Sequence, residues 1–370
     1  MSMRVAIVHD WLTGMRGGER VLEALCRMYP QAELFTLVHV RGAVSPAIES
    51  RKIHTSIIQR LPGAARHYRQ YLPLFPFAIE QFDLDRFDLV ISSSHCAAKA
   101  VVTTGRAVHV CYCHSPMRYA WDQFEWYFGQ ARLGRVRSAL MRRVMRRLAR
   151  WDAATEGRVN RFVANSRHVA GRIRRYYNRE ATVVHPPVDT AFFQPDGTSR
   201  GDYLLVVSAL VPYKRLDVAI AAAKEVGLPL KIAGVGGERR RLERRAGSSV
   251  EFLGRVSNEQ IRELYRGARA VLMPGEEDFG IVPVEAQACG RPVVALGRGG
   301  ALETIEDGVT GVLVRDDSAE SFAAGVRAAV DREFDAGLLR ERAERFSEEH
   351  FLSGMRRVLD DALAAGHARW

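Results

Sequence analysis

A chain of 370 residues exceeds the span over which one hydrophobic core usually grows, so two domains are expected, and 47% hydrophobic content is ample to fill them. Its 14 prolines and 31 glycines are scattered at turns instead of pooled in tracts, which excludes low-complexity and disordered classes, and no run of about 18 apolar residues offers a membrane-spanning helix. The net charge of +11, mostly arginine, calls for an anionic partner and does not choose among substrate, lipid surface and nucleic acid.

Short β-branched runs alternate with helical patterns almost throughout, the mark of parallel sheets covered by helices. In the first half, 3–8, 32–38, 88–93, 108–113, 160–164 and 181–184 read as strands. The first of these ends in charge at His9-Asp10 and is too short for a signal peptide. Residues 132–151 place leucine and valine at helical spacing with arginines elsewhere, a basic amphipathic helix that suits either packing on the sheet or contact with an anionic bilayer. After Val184, His185-Pro186-Pro187-Val188-Asp189 continues neither helix nor central strand, and the interdomain hinge is placed there. The alternation restarts with strands near 203–207, 229–233, 250–253, 270–273, 292–295 and 311–314. The predicted domains are therefore 1–187 and 188–346, with a final helix over 347–370 that is able to pack back on the first domain. Cys26, Cys96, Cys111, Cys113 and Cys289 are odd in number with no leader ahead, so free thiols in a reducing, cytoplasmic setting are expected.

The segment Met273-Pro274-Gly275-Glu276-Glu277-Asp278-Phe279-Gly280-Ile281-Val282-Pro283-Val284-Glu285-Ala286 reads strand, turn, helix. Such a helix start offers unpaired amides and a positive dipole end, and Gly280 admits a diphosphate close to the backbone beside Phe279 and Ile281. Glu277 is suited to accept from sugar hydroxyls and Glu285 from a ribose diol, since a carboxylate is an acceptor-only group. The alternative is that the acids only complement the dipole. Lys214 lies between a strand and a helix, where an ammonium group is able to neutralise charge on a leaving diphosphate; the alternative is a solvated surface lysine.

These residues resemble glycosyltransferase family 4, the retaining GT-B enzymes marked by two glutamates separated by seven residues, here Glu277 and Glu285. Val207-Ser208-Ala209-Leu210-Val211-Pro212-Tyr213-Lys214-Arg215 is similar to the family's basic donor loop, Ile232-Ala233-Gly234-Val235-Gly236-Gly237-Glu238 to its glycine turn, and Gly17-Gly18 to its N-terminal glycine loop. The resemblance implies two Rossmann-like domains facing a central cleft, with the acceptor held by the first and the donor by the second. It implies Lys214, Glu277 and His114 as catalytic or positioning groups, and Glu285, Phe279, Gly280, Ile281, Arg215, Gly234, Gly236 and Ser208 around the donor. Asp10, Gly17 and Gly18 are expected on the acceptor or diphosphate side. The family's usual arginine five residues before Lys214 is Ala209 here, and Arg215 is the candidate to substitute.

Tyr112-Cys113-His114-Ser115-Pro116-Met117-Arg118-Tyr119-Ala120-Trp121-Asp122 and Leu210–Arg215 look most like bacterial mannosyltransferases of O-antigen and exopolysaccharide assembly. That implies GDP-mannose as donor and a saccharide or polyprenyl-diphosphate-linked saccharide as acceptor, at the inner face of the plasma membrane. No cofactor or metal is expected, because no Asp-x-Asp pair follows a predicted strand, and no nucleic-acid motif accompanies the charge. A UDP-hexose transferase, and an epimerase or donor-binding protein of the same architecture, are the alternatives. Phe124, Trp126, Tyr127 and Phe128 suit either an acceptor wall or the core.

Overall fold

The computed structural model describes residues 3–366. One compact unit takes the chain up to Pro187 together with the residues from Glu349 onward, and a second takes Val188–Glu348.

In the first unit seven strands form one sheet: β1 (Val5–His9), β2 (Glu33–Thr36), β3 (Ile53–Thr55), β4 (Leu89–Ser94), β5 (Val108–Cys113), β6 (Arg161–Ala164) and β7 (Ala181–Val183). Their order is β3-β2-β1-β4-β5-β6-β7, and every pairing is parallel. β1, β4 and β5 are buried on both faces, which is why they read as apolar or small uncharged residues broken only by His9 and His109, instead of alternating. The sequence reading missed β3. It is a three-residue edge strand, half exposed and preceded by Arg51-Lys52, so charge rather than apolar character marks it, as suits an edge protected from further pairing.

The second unit holds β8 (Tyr203–Val207), β9 (Leu230–Ala233), β10 (Val250–Gly254), β11 (Ala268–Met273), β12 (Val293–Leu296) and β13 (Gly311–Val314), ordered β10-β9-β8-β11-β12-β13 and again all parallel. In both sheets the chain runs outward in one direction from the first strand and then resumes on its other side. This reversal, between β1 and β4 and between β8 and β11, parts the loops that follow those strands and opens a crevice at their carboxyl ends.

The helix Glu348–Ala364 turns Phe351, Met355, Val358, Leu359 and Ala362 into one core with Val5, Ile7, Tyr112 and Val184 of the first unit. Phe351 meets Tyr112 edge to face at 5.7 Å, and Tyr112 in turn donates to the carbonyl of Val184. Gly354 lets Val184 approach, since a Cβ there would stand 3.1 Å from its Cγ1.

The basic helix runs Arg135–Ala154 and is two-natured. Its second half buries Met145, Leu148, Ala149 and Asp152, whereas Val136 and Leu140 in the first half are 84% and 63% exposed among arginines. Asp152 takes the buried Lys99 ammonium at 3.1 Å and accepts from Trp121 Nε1 and Tyr177 Oη, each at 2.8 Å. Burial of a charged pair is tolerable only with its remaining valences filled in this way. Trp121, Phe124 and Phe128 pack on the core, while Trp126 and Tyr127 are exposed. All five cysteines are free and buried.

Candidate functional site

The second unit brings its singled-out residues together at the switch point because β8 and β11 are hydrogen-bonded neighbours whose following loops leave side by side. After β8 the chain passes through Ser208 to a short turn, Pro212–Lys214, and enters the helix Leu216–Val226. After β11 it runs through Pro274–Gly280 into the helix Ile281–Ala288. Gly275 is what lets the two loops touch: a Cβ there would lie 2.6 Å from Tyr213 O and 2.7 Å from Lys214 Cα. The Lys214 ammonium then meets the Glu277 carboxylate directly, both side chains being largely sheltered. Glu277 is fixed from the other side as well, its carbonyl accepting from Gly300 N at 2.8 Å. Glycine is required at 299 and 300, where a Cβ would overlap Glu277 O and Phe279 O.

Gly280 adopts φ 89° at the start of the helix Ile281–Ala288, a conformation in which an L side chain is strained. The amides of Ile281 and Val282 have no partner within a helix, and Pro283 at the third position carries no amide to leave orphaned. A helix start of this kind is suited to an anion, and the Lys214 ammonium is paired with Glu277 in the turn ahead of it.

Glu285 is not a solvated helix residue. It is 8% exposed, and its Oε2 accepts from the buried Tyr265 hydroxyl at 2.9 Å. Sequence reasoning missed Tyr265, whose phenol lies twenty positions away on the helix Asn258–Gly267. The glycine turn after β9 is packed against the loop after β8: Cβ atoms at Gly234 and Gly236 would overlap the backbone at Ser208 and Leu210. The Ser208 hydroxyl donates to Ala209 O at 3.2 Å. Arg215 sits at φ 51°, and its guanidinium is held by Asp317, whose carbonyl it also meets at 3.3 Å, with Asp217 3.4 Å from its Nε. The Arg215 charge, expected to stand in for the arginine replaced by Ala209, already has two carboxylate partners within the second unit.

A second cluster forms at the β1/β4 switch point of the first unit. Asp10 is fully buried, and its carboxylate accepts the amides of His95, Cys96, Ala97 and Ala98 at 2.6–3.0 Å, with His95 Nδ1 3.1 Å away. Its oxygens are thus used in shaping the loop after β4. Gly17 and Gly18 open the helix Gly17–Met28, where Glu19 reaches back to accept from Arg16 N at 3.0 Å. Gly18 lies against two imidazoles, since a Cβ would stand 3.6 Å from His114 Nε2 and from His9 Cε1. His114 follows β5, its amide donating to Ser94 O and its carbonyl accepting from Asn165 Nδ2. Its Nε2 is 2.8 Å from Ser93 Oγ. Burial, with the nearby His95, His9 and Arg118, pushes the His114 pKa well below the usual histidine range, so the ring is neutral.

Two doubly wound parallel sheets with ligand-type loops at both switch points define the GT-B glycosyltransferase architecture. Solved structures agree with it: sucrose-phosphate synthase from Thermosynechococcus elongatus superposes with a TM-score of 0.74 at 18% identity, covering 99% of this chain and 100% of that one. The Anabaena HepE protein in complex with UDP and glucose does so with 0.72 at 19% identity, covering 97% and 100%. Residues 15–192 match the family described as Glycosyltransferase Family 4, and residues 189–350 the one described as Glycosyl transferases group 1. Together the two matches run through residues 15–350, and both descriptions are of glycosyltransferases. The chain is 34% identical over 238 residues to a D-inositol 3-phosphate glycosyltransferase of Mycolicibacterium smegmatis, covering 57% of this chain and 53% of that protein. A protein of the same name from Rhodococcus erythropolis is 32% identical over 231 residues, covering 53% and 52%. The chain thus spans about half the length of the curated relatives it matches.

Proposed function

We propose that the chain transfers a hexosyl group, with retention of configuration, from a nucleoside diphosphate sugar to a saccharide or polyprenyl-diphosphate-linked saccharide. The observation that carries this reading is the Lys214–Glu277 pair at the start of the helix Ile281–Ala288. The helix start receives the diphosphate, and the ammonium group stands ready beside it. Before donor arrives, Glu277 holds Lys214 in place. Donor binding then exchanges one anionic partner for another and releases Glu277 to accept from sugar hydroxyls, while Glu285 accepts from the ribose diol. As the glycosidic bond to phosphate breaks, the acceptor oxygen attacks from the same face and its proton passes to the departing phosphate oxygen. Lys214 offsets the negative charge left there, and the protein contributes orientation and charge stabilisation without a nucleophile, metal or cofactor of its own.

GDP-mannose is the donor supported by the likeness of Tyr112–Asp122 and Leu210–Arg215 to bacterial mannosyltransferases of polysaccharide assembly. The second reading is a UDP-hexose donor, favoured by the UDP and UDP-glucose that HepE holds. Contact of the exposed Val136 and Leu140, set among arginines, with an anionic membrane would bring the enzyme to a lipid-linked acceptor.

Calorimetric titration with GDP, UDP, GDP-mannose and UDP-glucose decides the donor, and Lys214→Ala and Glu277→Ala test the site. Each variant is expected to lose about 100-fold or more in kcat with an unchanged unfolding midpoint. Near-normal turnover in both would overturn the assignment. Release of nucleoside diphosphate only on addition of acceptor separates a transferase from an epimerase or a donor-binding protein.

A further inference from the structure

At the switch point of the first sheet, one hydroxyl is shared by two imidazoles. Ser93 Oγ lies 3.0 Å from His9 Nδ1 and 2.8 Å from His114 Nε2. His9 is fully buried, and its Nε2 has no hydrogen-bond partner but faces Glu19 Oε1 at 3.9 Å. A serine hydroxyl carries a single hydrogen. If it donates to one ring it must accept from the other, so the tautomers of His9 and His114 are not independent.

We propose that Glu19, His9 and Ser93 form a positioning relay that sets whether His114 offers a lone pair or an N–H at Nδ1 to a substrate hydroxyl. The inference rests on the glycosyltransferase reading only in giving His114 a substrate to touch. The Glu19 carboxylate keeps a hydrogen on His9 Nε2. With His9 neutral, its Nδ1 accepts from the Ser93 hydroxyl, Ser93 Oγ accepts from His114 Nε2–H, and His114 Nδ1 is bare. One added proton inverts the chain: His9 Nδ1–H donates to Ser93, Ser93 donates to His114 Nε2, and His114 Nδ1 carries the hydrogen. The second state holds one more hydrogen than the first, and its charge rests on His9 beside Glu19. The His114 ring is neutral in both.

The surroundings suit this division. Burial opposes charge on Glu19, but the nearby His9 and His95 outweigh it and hold the Glu19 pKa below its usual value. The other polar groups around the two rings are His95, which turns to Asp10 and lies 6.1 Å from the His9 ring and 6.2 Å from the His114 ring, Arg118, and Tyr112 at 5.2 Å. Among the described residues no three His, Cys, Asp or Glu side chains converge as metal ligands, so hydrogen bonding is the chemistry this cluster offers.

Imidazole-nitrogen NMR on the full chain labelled with 15N-histidine tests the relay without reference to activity. The His114 ring is expected to pass from the Nε2–H to the Nδ1–H tautomer, still neutral, at the pH where His9 takes its second proton. Ser93→Ala should uncouple the two changes and Ser93→Thr restore the coupling. Glu19→Gln should leave the two changes coupled, since the Ser93 link between the rings is intact, which keeps the test open if the alanine variant does not fold. A His114 tautomer that stays fixed while His9 titrates in the parent protein, or that still follows His9 in Ser93→Ala, overturns the proposal. With donor and acceptor in hand, Ser93→Ala should also lower kcat about tenfold at unchanged donor KM and erase the matching inflection from its pH profile, and a profile identical to the parent's counts against the relay. Failure of the transferase reading leaves the NMR result standing, so the two are judged separately.

Discussion

Tyr265 shows what a single buried phenol does for the candidate donor site. Its hydroxyl fills one acceptor position of Glu285, and burial next to that carboxylate drives its own pKa well above the usual phenol range, so it remains a donor at any working pH. Tyr265→Phe takes away a hydrogen bond to a charged group, an interaction of roughly 1.5–3 kcal/mol, and should weaken donor binding about 10-fold or more while sparing kcat. Titration calorimetry on the variant measures this directly, and unchanged affinity would mean that Glu285 is held by other contacts. Little at this scale could be read ahead. Glu277, Glu285 and Lys214 stood out through the resemblance to glycosyltransferase family 4, but Tyr265, Ser93 and the four amides around Asp10 come together only through tertiary contact, and no local pattern records them.

At the scale of elements, the parallel strands were legible because burial on both faces writes itself as apolar runs, and β3 was not because an exposed edge writes charge. The helix Arg135–Ala154 shows the limit of periodicity: one repeat pattern covers apolar residues that pack and, at Val136 and Leu140, apolar residues that stay exposed. On the proposed membrane contact, the parent should co-sediment with phosphatidylglycerol vesicles and replacing Val136 and Leu140 by Asp should abolish this without altering the unfolding midpoint, whereas a parent left in the supernatant or undiminished binding by the variant would remove this helix from the proposal.

Strand β5 carries a second testable device in His109. The ring lies between Arg158 O, to which Nδ1–H donates at 2.8 Å, and Ser92 Oγ, from which Nε2 accepts at 2.8 Å. Burial, opposed by the bond to Arg158 and aided by Lys99, lowers its pKa to about 4. The unfolded chain takes up this proton near pH 6.5 and the folded one only near pH 4, so stability conferred by the neutral ring is intact above about 6.5 and lost as pH falls toward 4, by roughly 3 kcal/mol in all. Urea unfolding at pH 7 and pH 4.5 should show the loss in the parent and a smaller one in His109→Gln.

For the molecule as a whole, alternation of strand and helix foretold two doubly wound sheets, since each crossover helix must cover the face its strands expose. What alternation does not carry is which sheet the last helix covers, because an apolar stripe fits many partners. Phe351 is the sensitive residue of that helix. Phe351→Ala opens a void against Tyr112 and should cost about 3–5 kcal/mol in the first unit, seen as an earlier transition in denaturant, whereas a midpoint within about 0.5 kcal/mol of the parent would mean that the helix contributes little.

The second unit is thus threaded as an insertion: the chain leaves the first unit at Pro187 and rejoins it at Glu349. During synthesis the later-made unit has all its own strands before the earlier-made one receives the helix that covers Ile7 and Tyr112. A ribosome-bound chain stopped short of Phe351 would expose that apolar surface for the whole interval in which some 160 intervening residues are added, about 8–30 seconds at 5–20 residues per second. Chaperone demand during translation should therefore fall on the half of the protein that is made first.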